Sequence, residues 1–442
     1  MNVDKYRAAA NTLIRNPDDP EALVTQYANV AEKLENGKHY LPLAKRAYEV
    51  APNEISALFN YASALHRTGH FEQALKLYLK GLPRVDDDWR GRFLHHVGIA
   101  YRALNENDKA CDYYRRAFDA TGDINILKDA AIATLASGDL QAGFKMFEIR
   151  RECADLKLKL NGGKLVAQQK LPANVVYWGG QDLNGKTILV FHEEGQGDFI
   201  QFCRYIPRLR ELGAAKVLLA GAAPGLLELV ARNIDIDDIV ELAGPFECDY
   251  VTGSMSVPWR VGIDYRSVSG KPYFDARPAN IPSRSALNVG LVWQGNPEYG
   301  MDVHRSLAFS EYCPLFDLPG VAFYSLQKGS IDPTLLGYDG FVANLDPFMG
   351  TWSDTARVVK ALDVIISVDT AVAHLAGALG KPVFILTTAA ADWRWNRNSE
   401  KTAWYDSARV IRQRKQDDWS PSIANVREKL RGMMNGRRRQ AA

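Results

Sequence analysis

Two hydrophobic rhythms divide the chain. Between about residues 20 and 150, apolar positions recur every three or four residues, the spacing of one buried helix face; beyond 187, short apolar runs alternate with helix-spaced stretches. The clearest helical unit covers 55–88. Leu58, Tyr61, Ala62 and Leu65 share one face, Gly69 breaks the chain, and Phe71, Ala74 and Tyr78 begin a second amphipathic helix. The next unit repeats the pattern with Leu94, Val97, Gly98 and Tyr101, then Ala110, Tyr114 and Ala117. Each unit predicts a helical hairpin, and the small residues Ala62, Gly98, Ala74 and Ala110 fall where its two helices must approach closely. Residues 21–54 form a less regular unit, disturbed by Gly37 and Pro42 although Ala47 and Pro52 keep register. Residues 124–152 form a terminal unit marked by Gly138, Phe144 and Phe147.

This periodicity resembles the tetratricopeptide repeat (TPR) and predicts an α-helical TPR superhelix over 1–154. Such arrays bury a continuous core by stacking and present a concave face. Two uses fit: binding a protein or peptide segment, or serving as an arm that dimerises or supports the rest of the chain. Residues 155–176, with Gly162, Gly163 and a basic tilt, read as a linker.

Beyond it the pattern is α/β. Strands are expected at 187–191 and 216–220 and an apolar run at 238–242, with helices over 199–212 and 224–232. A second half repeats the scheme, with strands at 289–293, 321–326, 361–368 and 383–386 and a helix over 371–379. The sequence therefore predicts two Rossmann-like halves, 177–286 and 287–405, followed by a C-terminal helix and basic tail over 406–442 that carries Arg437, Arg438 and Arg439. Open parallel sheets bind ligands beyond the carboxyl ends of their strands, which places the site between the halves. Gly195 and Gly197 begin a G-x-G pattern, but Ile200 occupies the third glycine position. The second strand also ends in Ala220-Gly221, with no acidic residue to hold a ribose, which opposes a dinucleotide site.

Composition narrows the class. Of 442 residues, 47% are hydrophobic and 24% charged, enough apolar material for several cores, and the net charge of +2 gives no reason to expect nucleic acid or a membrane surface as partner. The first twenty residues carry Asp4, Asp18 and Asp19 without a signal-peptide pattern, and no stretch reads as a membrane span, so a soluble cytoplasmic protein is expected. Cys111, Cys153, Cys203, Cys248 and Cys313 form no C-x-x-C pair, and buried thiols are expected for all five. The loops of the α/β region hold no paired-aspartate metal motif. No cofactor and no metal are expected.

The strings EEGQGDFIQFCRYIPRL, VGLVWQGNPEYGMDVHRSL, FYSLQKG, SVDTAVAHLAGALGKPVFIL and ADWRWNR resemble, in order, the repeat-fused relatives of the ADP-heptose:lipopolysaccharide heptosyltransferases. The likeness spans about 177–413. A more distant one exists to the repeat-containing O-linked N-acetylglucosamine transferases. It implies a bacterial GT-B glycosyltransferase that moves a sugar from a nucleotide-sugar donor to a hydroxyl acceptor with inversion.

On that resemblance Asp198 is the candidate base; the plain alternative is an N-cap of the helix expected to start at Phe199. Glu193 and Glu194 are second choices, at least one of them a solvated loop end. Glu194, Gly195, Gly197 and Gly295 shape the loops. Asp369, Thr370 and Ala371 stand where a strand becomes a helix N-terminus, so amides and the Thr370 hydroxyl would receive the donor diphosphate while the Asp369 carboxylate caps the helix. Arg305 suits bidentate phosphate contact. His374 either reaches a phosphate or packs. Gln294, Asn296, Gln327 and Lys328 are expected to line the cleft, and Trp393, Arg394 and Trp395 to pack.

Three departures from the family pattern touch the donor and acceptor pockets. His304 stands where asparagine is common, 298–301 lacks the usual basic residues, and Phe199 replaces a common threonine. Three functional readings follow: an enzyme whose repeats present a protein acceptor, an enzyme of surface polysaccharide or lipopolysaccharide assembly whose repeats serve assembly, and an inactive binding scaffold. A homo-oligomer is compatible with each.

Overall fold

In a computed structural model, the structure describes residues 3–33, 40–151, 176–221, 224–241, 246–281, 285–297, 302–329, 337–338, 340–395 and 399–441. Gly37, Cys153, most of the expected linker with Gly162 and Gly163, the 298–301 segment and the side chains of Arg438 and Arg439 lie outside the described residues. The chain forms two compact units, one of Met1–Ser137 with Lys415–Asp417, the other of Gly138–Arg414 with Asp418–Ala442.

The first unit holds α1 (Val3–Arg15), α2 (Pro20–Lys33), α3 (Leu41–Val50), α4 (Ile55–Arg67), α5 (Phe71–Gly81), α6 (Asp87–Ala103), α7 (Asn107–Thr121) and α8 (Ile124–Ser137). The helices form because their apolar residues sit on one face and their ends carry stop signals. The Asp86 carboxylate accepts from the Trp89 N–H at the start of α6, and Gly122 ends α7 in the left-handed region at φ +67°. Leu58, Ala62, Ala74, Tyr78, Phe93 and Val97 are buried in one continuous cluster. Gly98 is required by a close approach: a Cβ there would stand 2.7 Å from the Tyr114 ring.

The sequence carries the repeat array to 154, whereas the compact unit ends at Ser137. The next helix, α9 (Leu140–Phe147), belongs to the second unit because its apolar face is taken up there. Phe144 packs edge-on against Phe202 and Trp393, with ring centroids 5.4 and 5.7 Å away. Gln141 donates to the Ile263 carbonyl at 2.6 Å.

The second unit contains two wholly parallel sheets. The first joins β1 (Val176–Tyr177), β2 (Thr187–Phe191), β3 (Lys216–Ala220), β4 (Asp238–Ile239) and β5 (Tyr250–Gly253) in the order β1-β5-β2-β3-β4. The other joins β6 (Leu287–Val292), β7 (Val321–Ser325), β8 (Val342–Asn344), β9 (Val364–Val368), β10 (Val383–Thr387) and β11 (Ala408–Arg412) in the order β11-β10-β9-β6-β7-β8. Strands such as β6 and β9 are buried along their whole length, as parallel strands covered on both faces must be. Helices α10 (Gln196–Phe202), α11 (Pro224–Ala231), α12 (Asp302–Arg305), α13 (Trp352–Ala361), α14 (Ala371–Ala378) and α15 (Ser420–Ala441) connect or follow the strands.

The helix expected over 199–212 is shorter and starts earlier. α10 begins at Gln196 and gives way after Phe202 to a 3-10 turn at Cys203–Tyr205 and a single helical turn at Arg208–Glu211. Pro207 accounts for the interruption, since it has no N–H to continue the helical ladder. The thiols also differ from expectation: Cys203 is buried, but Cys111 and Cys248 are half-buried and Cys313 is exposed.

Chain order reverses at β2/β5 in the first sheet and at β6/β9 in the second. These reversals put the loops after β2, β6 and β9 at the two positions where open parallel sheets leave a crevice.

Candidate active site

Two helix N-termini, one from each sheet, meet at these crevices. β2 delivers the chain into His192-Glu193-Glu194-Gly195 and then α10; β9 delivers it into Asp369-Thr370 and α14. Gly197 makes the meeting possible, because a Cβ there would stand 2.8 Å from His374 Cδ2 and 3.4 Å from Ala371 Cα.

Asp198 is not the helix N-cap. That position is Gly195, and Asp198 is the third helical residue, its Oδ2 accepting the Gly195 N–H at 2.9 Å. Its Oδ1 is in a salt bridge with the Arg394 guanidinium. Burial raises the carboxyl's pKa while Arg394 opposes the rise, and Glu194 and Asp392 add to it. Arg394 is thereby a hub. Its Nη1 donates to Asp392 at 2.8 Å and its Nε to Gln201 Oε1 at 2.7 Å, while the guanidinium lies over the Trp393 ring. The sequence assigns Arg394 to packing only; the signal for more was a charged side chain set between two tryptophans and preceded by Asp392.

Glu193 and Glu194 separate cleanly. Glu194 is exposed and held at φ +59°, a left-handed conformation unusual for glutamate. Glu193 is buried and accepts from Arg150 Nε at 3.1 Å, Arg150 Nη2 at 2.6 Å and the Met255 N–H at 2.8 Å, so it is committed to structure. Arg150 also donates to Glu148 at 3.0 Å and to Ser256 at 2.7 Å, and the Tyr177 hydroxyl lies 2.8 Å from Ser256. The network ties the turn after α9 to the loop that leads into α10 and Asp198.

At α14 the expected capping differs. Thr370 is the N-cap but its side chain makes no capping hydrogen bond; its hydroxyl instead bonds Ser367 at 2.9 Å, and the Asp369 carboxylate lies 3.9 Å from His374 Nε2. Burial lifts the Asp369 pKa to about 6, with Asp392 adding to the rise and Trp395, Arg394 and Arg305 opposing it. His374 is buried, its Nδ1 2.9 Å from the Tyr405 hydroxyl and its ring 5.3 Å from Trp395. Burial, with Arg394 and Arg204 nearby, holds its pKa well below the usual imidazole range. It is a packed, neutral histidine.

The loop after β6 supplies a second guanidinium. Arg305 donates from Nε to Asp302 at 2.7 Å and from Nη1 to the Asp369 carbonyl at 3.1 Å, which joins the β6 and β9 loops. Gly295 lies directly against Asp302 and Arg305, where any Cβ would collide with both. Its N–H donates to the Ser306 hydroxyl at 3.0 Å, and that hydroxyl donates to Asp302 at 2.8 Å.

Gln327 pins this loop. Its Oε1 accepts from the Trp293 and Gln294 N–H groups at 3.1 and 3.0 Å and its Nε2 donates to the Gln294 carbonyl at 3.1 Å, so the amide is spent on backbone. Asn296 is exposed, and Lys328 is exposed and paired with Asp346 at 3.2 Å. The geometry thus brings Asp198, Arg394, Asp369, Thr370, Ala371, His374 and Arg305 together. Gln294 and Gly295 border them.

The arrangement sets a carboxylate in the first turn of α10, after one sheet, against the N-terminus of α14, whose N-cap Thr370 makes no capping bond, and two guanidiniums from the loops of the other sheet. Among the described residues, no group of three or more His, Cys, Asp or Glu side chains could hold a metal ion, and no helix is long and apolar enough to cross a membrane.

Comparison with known proteins gives the following relatives. Residues 91–123, which fall on α6 and α7, match the tetratricopeptide repeat family model. Protein FlbA of Caulobacter vibrioides is 24% identical over 98% of this chain and 76% of its own length. MamA of Desulfovibrio magneticus RS-1 is similar to this chain at 17% identity over 34% of this chain and 85% of that one, with a TM-score of 0.30. A glycosyl transferase family 9 structure from Veillonella parvula is similar at 12% identity over 53% of this chain and 87% of that one, with a TM-score of 0.39. The N-terminal helices therefore carry a tetratricopeptide repeat, and the rest of the chain is a two-sheet parallel α/β unit.

Proposed function

We propose that the chain is an inverting, metal-independent GT-B glycosyltransferase that moves a sugar from a nucleotide-sugar donor to a hydroxyl acceptor, the repeats receiving a protein acceptor. The observation that carries this reading is the approach of Asp198 and the α14 N-terminus across Gly197, at the chain-order reversals of two parallel sheets. A helix N-terminus favours anions through its unpaired N–H groups and its dipole. The donor diphosphate would lie against Thr370 and Ala371 with Arg305 beside it, and the sugar would then face the α10 loop.

In the transfer, the acceptor oxygen attacks the anomeric carbon from the face opposite the diphosphate. The acceptor proton passes to the Asp198 carboxylate, the anomeric C–O bond breaks, and its electron pair leaves with the diphosphate. The amides and guanidiniums at α14 stabilise that departing charge where metal-dependent enzymes use a cation.

The test is nucleotide release from UDP-, GDP-, ADP-, CMP- and dTDP-sugars, with cell lysate as acceptor, for the native chain, Asp198→Asn and Arg305→Ala. Release from one donor, retained in excess chelator and reduced about 100-fold or more in Asp198→Asn, is expected. Loss in chelator would overturn metal independence. Absence of both binding and release for all five donors would overturn the enzyme reading in favour of a scaffold. Mass spectrometry of cells lacking the protein separates acceptors: missing glycopeptides fit a protein acceptor, a shortened polymer fits surface polysaccharide or lipopolysaccharide.

A further inference from the structure

Both carboxylate oxygens of Asp198 are engaged. Oδ2 accepts the Gly195 N–H at 2.9 Å and Oδ1 is in the salt bridge with Arg394. A base in that state is covered: the guanidinium occupies Oδ1, where an incoming proton would bind, and opposes the rise that burial gives the carboxyl's pKa. The partner is well placed to leave. Of the three side chains that Arg394 hydrogen-bonds, Asp392 and Gln201 would anchor it while Asp198 is exchanged.

Charge gives the exchange a direction. Asp198, Asp302, Asp369, Asp392 and Glu194 share this region with Arg204, Arg305 and Arg394, and His374 is neutral, so carboxylates outnumber cations before any ligand arrives. A donor diphosphate at the α14 N-terminus adds further negative charge. Arg305 is already bonded to Asp302 and to the Asp369 carbonyl. Arg394 directly precedes Trp395, whose ring packs 5.3 Å from His374 in the first turn of α14, and a guanidinium binds phosphate oxygens in the bidentate manner it uses for carboxylates.

We infer that Arg394 exchanges Asp198 for the donor diphosphate, so that donor binding uncovers the base. Arg394 is then both a donor ligand and the element that keeps Asp198 idle when the donor site is empty. This rests on the glycosyltransferase reading above, and it predicts a result of unusual sign: removing the charge of Asp198 strengthens diphosphate binding, because Asp198 competes for the same guanidinium.

The experiment measures calorimetric affinities of the full chain for UDP, GDP, ADP, CDP and dTDP, in the native protein, Asp198→Asn, Arg394→Gln and the double variant. For the nucleotide that binds, Asp198→Asn is expected to tighten affinity about fivefold, and Arg394→Gln to weaken it about tenfold or more. In the double variant the gain should vanish. A gain that persists without Arg394 would mean simple relief of repulsion and would overturn the exchange, as would unchanged or weaker binding by Asp198→Asn. Should Arg394→Gln fail to fold, Arg394→Lys keeps the charge, loses the planar fork and is expected to weaken binding in the same direction; unchanged affinity in it would overturn the inference. Native protein that binds none of the five nucleotides would sink the enzyme reading and the exchange together, whereas binding without the Asp198→Asn gain sinks the exchange alone.

Discussion

The Arg150 guanidinium donates to both carboxylate oxygens of Glu193, at 3.1 and 2.6 Å, and both side chains are buried. The contact joins a residue just past α9 to one four positions before Gly197, so the turn that follows α9 also fixes the loop that leads into α10 and Asp198. Such pairs are stabilising mainly in the sense that neither partner tolerates loss of the other.

Arg150→Met is therefore expected to destabilise the chain by about 3–5 kcal/mol, because Glu193 would remain as an uncompensated buried charge. Arg150→Met combined with Glu193→Gln should recover part of that loss. Denaturant unfolding of the single and double variants reads the difference, and equal losses in both would show that the pair does not act through charge.

Asp369 sets a pH dependence of definite sign. Its pKa in the folded chain is about 6 against an ordinary value of 3.8, so between these values the folded state holds the proton more tightly than the unfolded state. Stability from this group is then present below pH 3.8 and is lost as pH rises to about 6. Asp369→Asn removes the ionisation and should raise stability near pH 7 by about 1–3 kcal/mol, with the advantage gone below pH 4. Thermal melts of both proteins across pH 3.5–8 are the measurement, and an advantage independent of pH would refute the assignment. The same variant should lose turnover if Asp369 shapes the diphosphate site, as expected where a site keeps a costly charge.

Glu194 at φ +59° offers a smaller test of strain. Glycine adopts this conformation without the Cβ penalty, so Glu194→Gly is expected to stabilise the chain by about 0.5–1 kcal/mol in spite of glycine's greater freedom when unfolded. A loss of stability on equilibrium unfolding would mean that the glutamate side chain supports the loop.

Much of the architecture was legible because it is written in periodicity. The hairpin of Leu58, Ala62, Ala74 and Tyr78 and the parallel strands ending in Phe191 and Val368 follow from spacing and from strand-to-helix junctions, which local sequence controls. The site was legible at its loops, where glycines and turn residues announce themselves, but not in its pairings. Arg394 is 196 positions from Asp198, and Arg150 is 43 from Glu193. No local pattern reveals which buried cation meets which carboxylate, and so Glu193 read as a second-choice base and Arg394 as packing. The N-cap reading of Asp198 is off by three positions for a related reason: Gly195, which has no side chain to advertise a cap, starts the helix.

Gly197 carries the sharpest steric prediction, because it is where the two halves of the α/β unit touch at the site. A methyl group there would be forced to 2.8 Å from His374 and 3.4 Å from Ala371 Cα. His374 cannot turn aside, since its Nδ1 is bonded to Tyr405 and its ring lies against Trp395. The overlap must instead move α10 away from α14 as bodies, which costs about 1–3 kcal/mol in a well-packed interface and carries Asp198 away from the helix N-terminus. Gly197→Ala should therefore fold with lowered stability and lose turnover by about 100-fold, the scale expected for a misplacement near 1 Å. Nucleotide affinity should fall much less, because Thr370, Ala371 and Arg305 remain on one half. Turnover and nucleotide affinity measured on the same preparation decide the matter: equal losses in both would place Gly197 in the nucleotide site itself, and no loss in either would mean that the halves do not work across this contact.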